Sequence, residues 1–195
     1  MKNKNVIIFI VAIVAILVIW SVGAYNGLVS AEEGVDAQWA QVENVYQRRA
    51  DLIPNLVNTV KGYADFEQQT LTDVIEARAK ATSVQIDPAN ITAANVEQFQ
   101  AAQEQLSGAL SRLLVTIERY PELKANRNFL ELQAQLEGTE NRITVERNKF
   151  NETAKLYNTS IRKFPKNLFA SLFGFDRKGY FTAKEGAENA PVVEF

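Results

Sequence analysis

Phe129, Leu136, Ile143, Phe150, Tyr157 and Phe164 follow one another at intervals of seven residues without a miss. Apolar side chains at that interval stay on one side of an α-helix, whereas along a strand they would alternate between faces. The pattern predicts one helix over residues 129–164, about 54 Å long at about 1.5 Å per residue, stopped by Pro165. Such a seam signals long antiparallel or coiled-coil packing, and its overhang has to be covered by the N-terminal helix, the C-terminal tail or another copy of the chain.

Three more segments carry helical spacing. From Tyr25 onward, Leu28, Val35 and Val42 recur every seven residues, with Trp39 and Tyr46 four after two of them. Leu52 to about Ala81 contains Ile53, Leu56, Val60, Tyr63, Leu71, Val74 and Ile75. Residues 94–120 place Phe99, Leu106, Leu110, Leu113, Ile117 and Tyr120 on one face. Between the last two, residues 82–95 (TSVQIDPANITAAN) lose the spacing and read as a loop. No stretch alternates as a strand would, and glycine and proline are scarce, at nine and five in 195 residues. The expectation is an all-α fold, an up-and-down bundle of four helices.

Residues 46–55, YQRRADLIPN, decide how those helices are cut. A single rod over residues 25–81 would run about 85 Å, against about 40 Å for the third helix, so length favours a break near residue 50. The chemistry allows one. Arg48 and Arg49 suit the last turn of a helix, Asp51 suits an N-cap, and Pro54 falls in a first turn where its missing N–H is not needed. Phase argues the other way: the interval of seven from Leu28 continues through Arg49 to Leu56 and Tyr63, as in a kinked but continuous helix, and Gly62 is a second candidate corner.

Val6 to Val22 (VIIFIVAIVAILVIWSV) is an uncharged, mostly apolar run, with Trp20 and Tyr25 at its far end. It is long enough to cross a bilayer core, with interfacial aromatics as anchors. A cleaved signal peptide is the alternative, since Val22-Gly23-Ala24 offers small residues; the run is longer than the usual signal core. Lys2 and Lys4 precede the run and the next cation is Arg48, so the positive-inside bias puts the N-terminus in the cytoplasm and the remainder outside. This divides the chain into a stub (1–5), an anchor (6–24), a helical bundle (25–164) and an irregular tail (165–195).

The formal net charge of −2 leaves no basic footprint for nucleic acid. Without cysteine or histidine there is no thiolate nucleophile, no imidazole base and none of the commonest metal ligands, so no cofactor and no catalysis are expected. The acidic patch of Glu32, Glu33 and Asp36 could gather divalent cations, but it lacks the glycine turn of a calcium loop and reads as a solvated helix face.

Arg49 lies on the apolar stripe and needs an anion. Glu140 flanks the long seam, with Glu137, Asn141 and Arg147 nearby; together with Arg48, Arg49 and Asp51 these form an expected structural polar cluster, a ligand pocket being the alternative. In the tail, Phe169, Phe173, Phe175, Tyr180, Phe181 and Phe195 lack any period; they are expected either to pack irregularly on the bundle or to form a partner surface. The last five residues, PVVEF, have the pattern of a terminus captured by strand addition, but packing onto the bundle or plain disorder is the expectation.

YNGLV (25–29), Trp39, YQRRADLIPNLVNTVKGYADFE (46–67), YPELKANRNFLELQAQLEGTENRI (120–143), Phe164-Pro165 and Phe173 to Phe175 resemble the LemA family of bacterial membrane-anchored proteins. The resemblance covers nearly the whole chain. It implies one N-terminal transmembrane helix in the bacterial cytoplasmic membrane and a helical bundle, and supplies no activity. Members are often considered beside a membrane zinc protease of the HtpX kind. The expected function is a non-enzymatic scaffold or adaptor that self-associates through the long seam; the alternative is a regulator or substrate-presenting partner of such a protease.

Overall fold

A computed structural model of the chain describes residues 2–62 and 67–183. Its helices are α1 (Lys2–Lys61), α2 (Gln68–Ser83), α3 (Ala93–Ile117), the short α4 (Pro121–Lys124), α5 (Arg127–Arg162) and α6 (Lys166–Phe173), with a 3-10 turn at Pro88–Asn90. No strand occurs among the described residues, so the all-α expectation holds. Helix starts follow local chemistry. Thr92 caps α3 by accepting from the Asn95 amide, and Asn126 caps α5 by accepting from the Phe129 amide.

The break expected near residue 50 does not occur. Helix α1 runs through Arg48, Arg49, Asp51 and Pro54 as far as Lys61, and the chain turns from Gly62, the other corner named above. Asp51 is therefore no cap; it accepts a hydrogen bond from Gln47 within the same helix at 2.7 Å. Length misled because it compared α1 with α3. The partner of α1 is α5, and the part of α1 beyond Ala24 matches it in length, both roughly 55 Å. Their order is antiparallel: Glu32 meets Tyr157, Gln38 meets Glu146 and Arg49 meets Glu140.

Two apolar cores lie along this pair of arms. The distal one joins Ile53, Leu56 and Val60 of α1 to the α2–α3 hairpin and to Phe129 and Leu136 of α5, giving the four-helix section of the bundle. The proximal one joins Leu28, Val35, Trp39 and Val42 to Ile143, Phe150 and Tyr157. Helix α2 spans only about 24 Å and α3 about 37 Å, so they cannot cover the whole length of the arms. The tail supplies the missing layer: Phe181 stacks on Trp39 at 5.8 Å between ring centroids and also meets Phe150. The long seam is thus covered within one chain.

Three smaller expectations fail for local reasons. Phe164 lies beyond the end of α5 and is 81% exposed, so the buried seam stops at Tyr157 and Ile161. Ile75 points outward from α2. Tyr63 lies outside the described residues. At the other end of the molecule, every described side chain from Ile7 to Trp20 is exposed, whereas Ala24 and Leu28 are buried. Helix α1 therefore emerges from the bundle as a bare apolar segment, long and apolar enough to cross a membrane.

Candidate functional site

Between the two cores lies a polar layer centred on Arg49, which is 2% exposed. Its Nη1 donates to Glu140 Oε2 and to Ser107 Oγ, both at 2.8 Å, and its Nη2 donates to Gln103 Oε1 at 2.7 Å and to the Gln103 carbonyl at 3.2 Å. The guanidinium also lies 5.1 Å from the centre of the Tyr46 ring. Gln103 carries the layer onward by donating to the carbonyl of Ala81 at 3.2 Å, in the last turn of α2, where no intrahelical donor remains. One arginine thereby ties α1 to α3, α5 and, through Gln103, α2. Burial pushes the Tyr46 phenol up against the pull of Arg147 and Arg49, keeping the ring neutral.

The proline four residues from Ala50 has its answer in the same region. Pro54 has no N–H, so the carbonyl of Ala50 is left without the donor that an uninterrupted helix would provide. Arg78 of α2 fills that vacancy, its Nε donating to the Ala50 oxygen at 2.7 Å. The defect in one helix becomes the attachment point of the next.

A second buried cation sits near the membrane end. Lys178, in the tail, places Nζ 3.0 Å from Glu32 Oε1, 3.6 Å from Asp36 Oδ1 and 3.3 Å from the carbonyl of Pro88. Glu32 and Asp36 thus converge on a lysine instead of forming a fully solvated face, as the sequence had suggested. Burial raises the Asp36 carboxyl, although Lys178 draws it down. Among the described residues no group of three or more acidic side chains is arranged to hold a metal ion.

The tail is held by its backbone. Asn158 both accepts from the Lys178 amide and donates to its carbonyl; Asn151 does the same for Phe181, and Gln100 for Thr182. Asn158 and Asn151 are seven residues apart on α5, about 10.5 Å, and three residues of extended chain span about 10 Å, so the two spacings match. The strap passes so close to α3 that a Cβ on Gly179 would lie 2.7 Å from the Thr92 carbonyl oxygen; only glycine fits there.

The predicted residues therefore separate. Arg49 and Glu140 meet, and Glu137 lines a small cavity beside them. Arg48, Asp51 and Asn141 face outward, and Arg147 donates to the Thr182 carbonyl while lying over the Phe181 ring at 4.7 Å. The tail is not a continuous partner surface: Phe175 and Phe181 are buried, Phe169 and Tyr180 half-buried, and Phe173 exposed. Phe195 and the PVVEF terminus lie outside the described residues. Gln103, Ser107, Arg78 and Lys178 had no signal in the sequence, whereas Asn151 and Asn158 repeat at seven, each one step from a seam residue. The cavity at Arg49 measures about 230 Å³, smaller than the usual pocket for a small molecule.

Residues 38–195 match the LemA family. The magnetosome protein MamQ of Magnetospirillum gryphiswaldense is 27% identical over 188 residues, covering 87% of this chain and 68% of MamQ. A second magnetosome protein, MamQ 2 of Paramagnetospirillum magneticum, is 26% identical over 206 residues, covering 96% and 73%. Protein LemA of Metamycoplasma hominis is 22% identical over 179 residues, covering 92% and 78%. With the family match extending over most of its length and a bare apolar helix at its N-terminus, this chain is a membrane-associated member of the LemA family.

Proposed function

We propose that the chain is a non-enzymatic scaffold, anchored by one transmembrane helix, whose bundle stands on the extracytoplasmic side of the bacterial cytoplasmic membrane. One observation carries this reading: the buried charges are engaged within the chain, Arg49 by Glu140, Gln103 and Ser107, and Lys178 by Glu32 and Asp36. The reading assigns function to shape, a rod continuous with its anchor, and to the outer surface. Self-association through the α5 seam is not part of the proposal, because α1 covers that seam; copies would meet through exposed faces.

Sidedness is tested by placing a cysteine at exposed Asn58 of this cysteine-free chain and treating intact spheroplasts with a membrane-impermeant maleimide. Labelling supports the extracytoplasmic placement; labelling only after lysis overturns it. The scaffold role is tested by crosslinking in living cells, together with native mass spectrometry of the detergent-extracted chain. Defined adducts with other membrane proteins or with itself support it, and a strict monomer without adducts overturns it. Adducts confined to a membrane metalloprotease would favour the regulatory alternative.

A further inference from the structure

Helix α6 carries two faces. Ala170 is buried against the proximal core. Leu168 and Leu172, two residues to either side and therefore on the opposite face, are 59% and 75% exposed, and Phe164, in the turn just before α6, is 81% exposed. Phe173 adds a fourth large apolar group, at 54%. Among the described residues these four side chains stay more than half exposed, Phe173 with one side against Tyr25, and exposed apolar side chains gathered in one place mark an interaction site.

Their height on the molecule identifies the occupant. Phe169 meets Trp20 with ring centroids 5.6 Å apart, and Phe173 meets Tyr25 at 5.0 Å. Trp20 and Tyr25 mark the end of the bare segment of α1, where interfacial aromatics sit. Helix α6 is therefore held level with the boundary between hydrocarbon and headgroups. The charge also suits that place: from Arg162 to Phe175 the chain contains Arg162, Lys163 and Lys166 and no acidic residue. We propose that α6, together with the turn before it, lies in the interface and sinks Phe164, Leu168, Leu172 and Phe173 into the outer boundary of the bilayer that α1 spans, with Arg162, Lys163 and Lys166 lying among anionic headgroups. This rests on α1 being a membrane anchor. The rod then has two attachments to the membrane, which fix its tilt as well as its position.

The test uses the full-length chain in vesicles of phosphatidylcholine and phosphatidylglycerol. The chain has no cysteine, so Leu168→Cys and Leu172→Cys each accept one nitroxide, with Val14→Cys in the bare segment and Val115→Cys at the distal end of α3 as references. Collision rates with oxygen, which concentrates in lipid, and with a water-soluble nickel chelate report the surroundings of each label. Labels at 168 and 172 are expected to favour oxygen over nickel, between the two references, at about 5–10 Å depth. If Val14 reads lipid while 168 and 172 read water like Val115, the interfacial helix is overturned and the anchor stands. If Val14 also reads water, both readings fall. If labels at 168 and 172 exclude nickel but broaden one another's spectra, a second copy covers the patch and the proposal is overturned.

Discussion

The attachment of Arg78 to the Ala50 carbonyl yields a double-mutant cycle with a defined sign. With Pro54 in place, that carbonyl has no helical donor and Arg78 is its partner at 2.7 Å. Arg78→Ala removes a charged hydrogen bond, worth about 1.5–3 kcal/mol in general, and since Arg78 is half-buried and water can partly replace it, the lower end of about 1.5 kcal/mol is expected. In a chain of this size that corresponds to a melting shift of about 3–6 °C. In the Pro54→Ala background residue 54 regains an N–H for the same carbonyl, so Arg78→Ala should cost about 1 kcal/mol less. Urea unfolding of the full chain in detergent, followed by far-UV ellipticity, gives all four corners of the cycle. A coupling below about 0.3 kcal/mol would mean that Arg78 does not replace the missing helical bond.

Three other outcomes follow from the geometry. Glu140→Ala is expected to cost about 2–4 kcal/mol, less than a fully buried pair because Glu140 is half exposed, and more than Arg49→Met, which frees the carboxylate to water; the reverse order in urea unfolding would contradict the buried-cation reading. Gly179→Ala should cost about 1–3 kcal/mol, because the new methyl meets the Thr92 backbone; a melting point equal to that of the parent would show that the strap can move aside. Burial, aided by nearby Glu32, raises the Tyr157 phenol well above its ordinary value, so the folded chain holds a proton that the unfolded chain releases. Its contribution is complete below about pH 10 and lost as pH rises further, so Tyr157→Phe should flatten the alkaline fall of the melting temperature, and an unchanged slope would contradict this.

The interval of seven in α5 was legible because covering a seam demands regularity, and every seam residue from Phe129 to Tyr157 is buried. Phase was also the right guide to α1: the stripe from Leu28 to Leu56 passes through Arg49 because the helix is continuous. Capping chemistry at YQRRADLIPN suggested a break because arginine, aspartate and proline are equally at home at helix ends. What overrides that preference is tertiary, a donor from α2 and acceptors from α3 as well as from α5, and those of α2 and α3 carry no local signal. The pairing of Arg49 with Glu140 was accessible because both flank apolar stripes. Lys178 was not, since an irregular tail has no period from which burial can be read, and its aromatics looked like an open surface for the same reason.

The rod itself is the feature on which the scaffold reading depends. Ala40 and Asn58 are exposed on α1, about five turns apart and so on the same face, on either side of RRADLIP. With cysteines at both positions of the full chain in nanodiscs, dipolar electron resonance between attached nitroxides should give one distance near 27 Å, the length of an unbroken helix between them. A distance under about 15 Å, as between adjacent antiparallel helices, would mean that the chain reverses near residue 50 and that no continuous arm rises from the membrane.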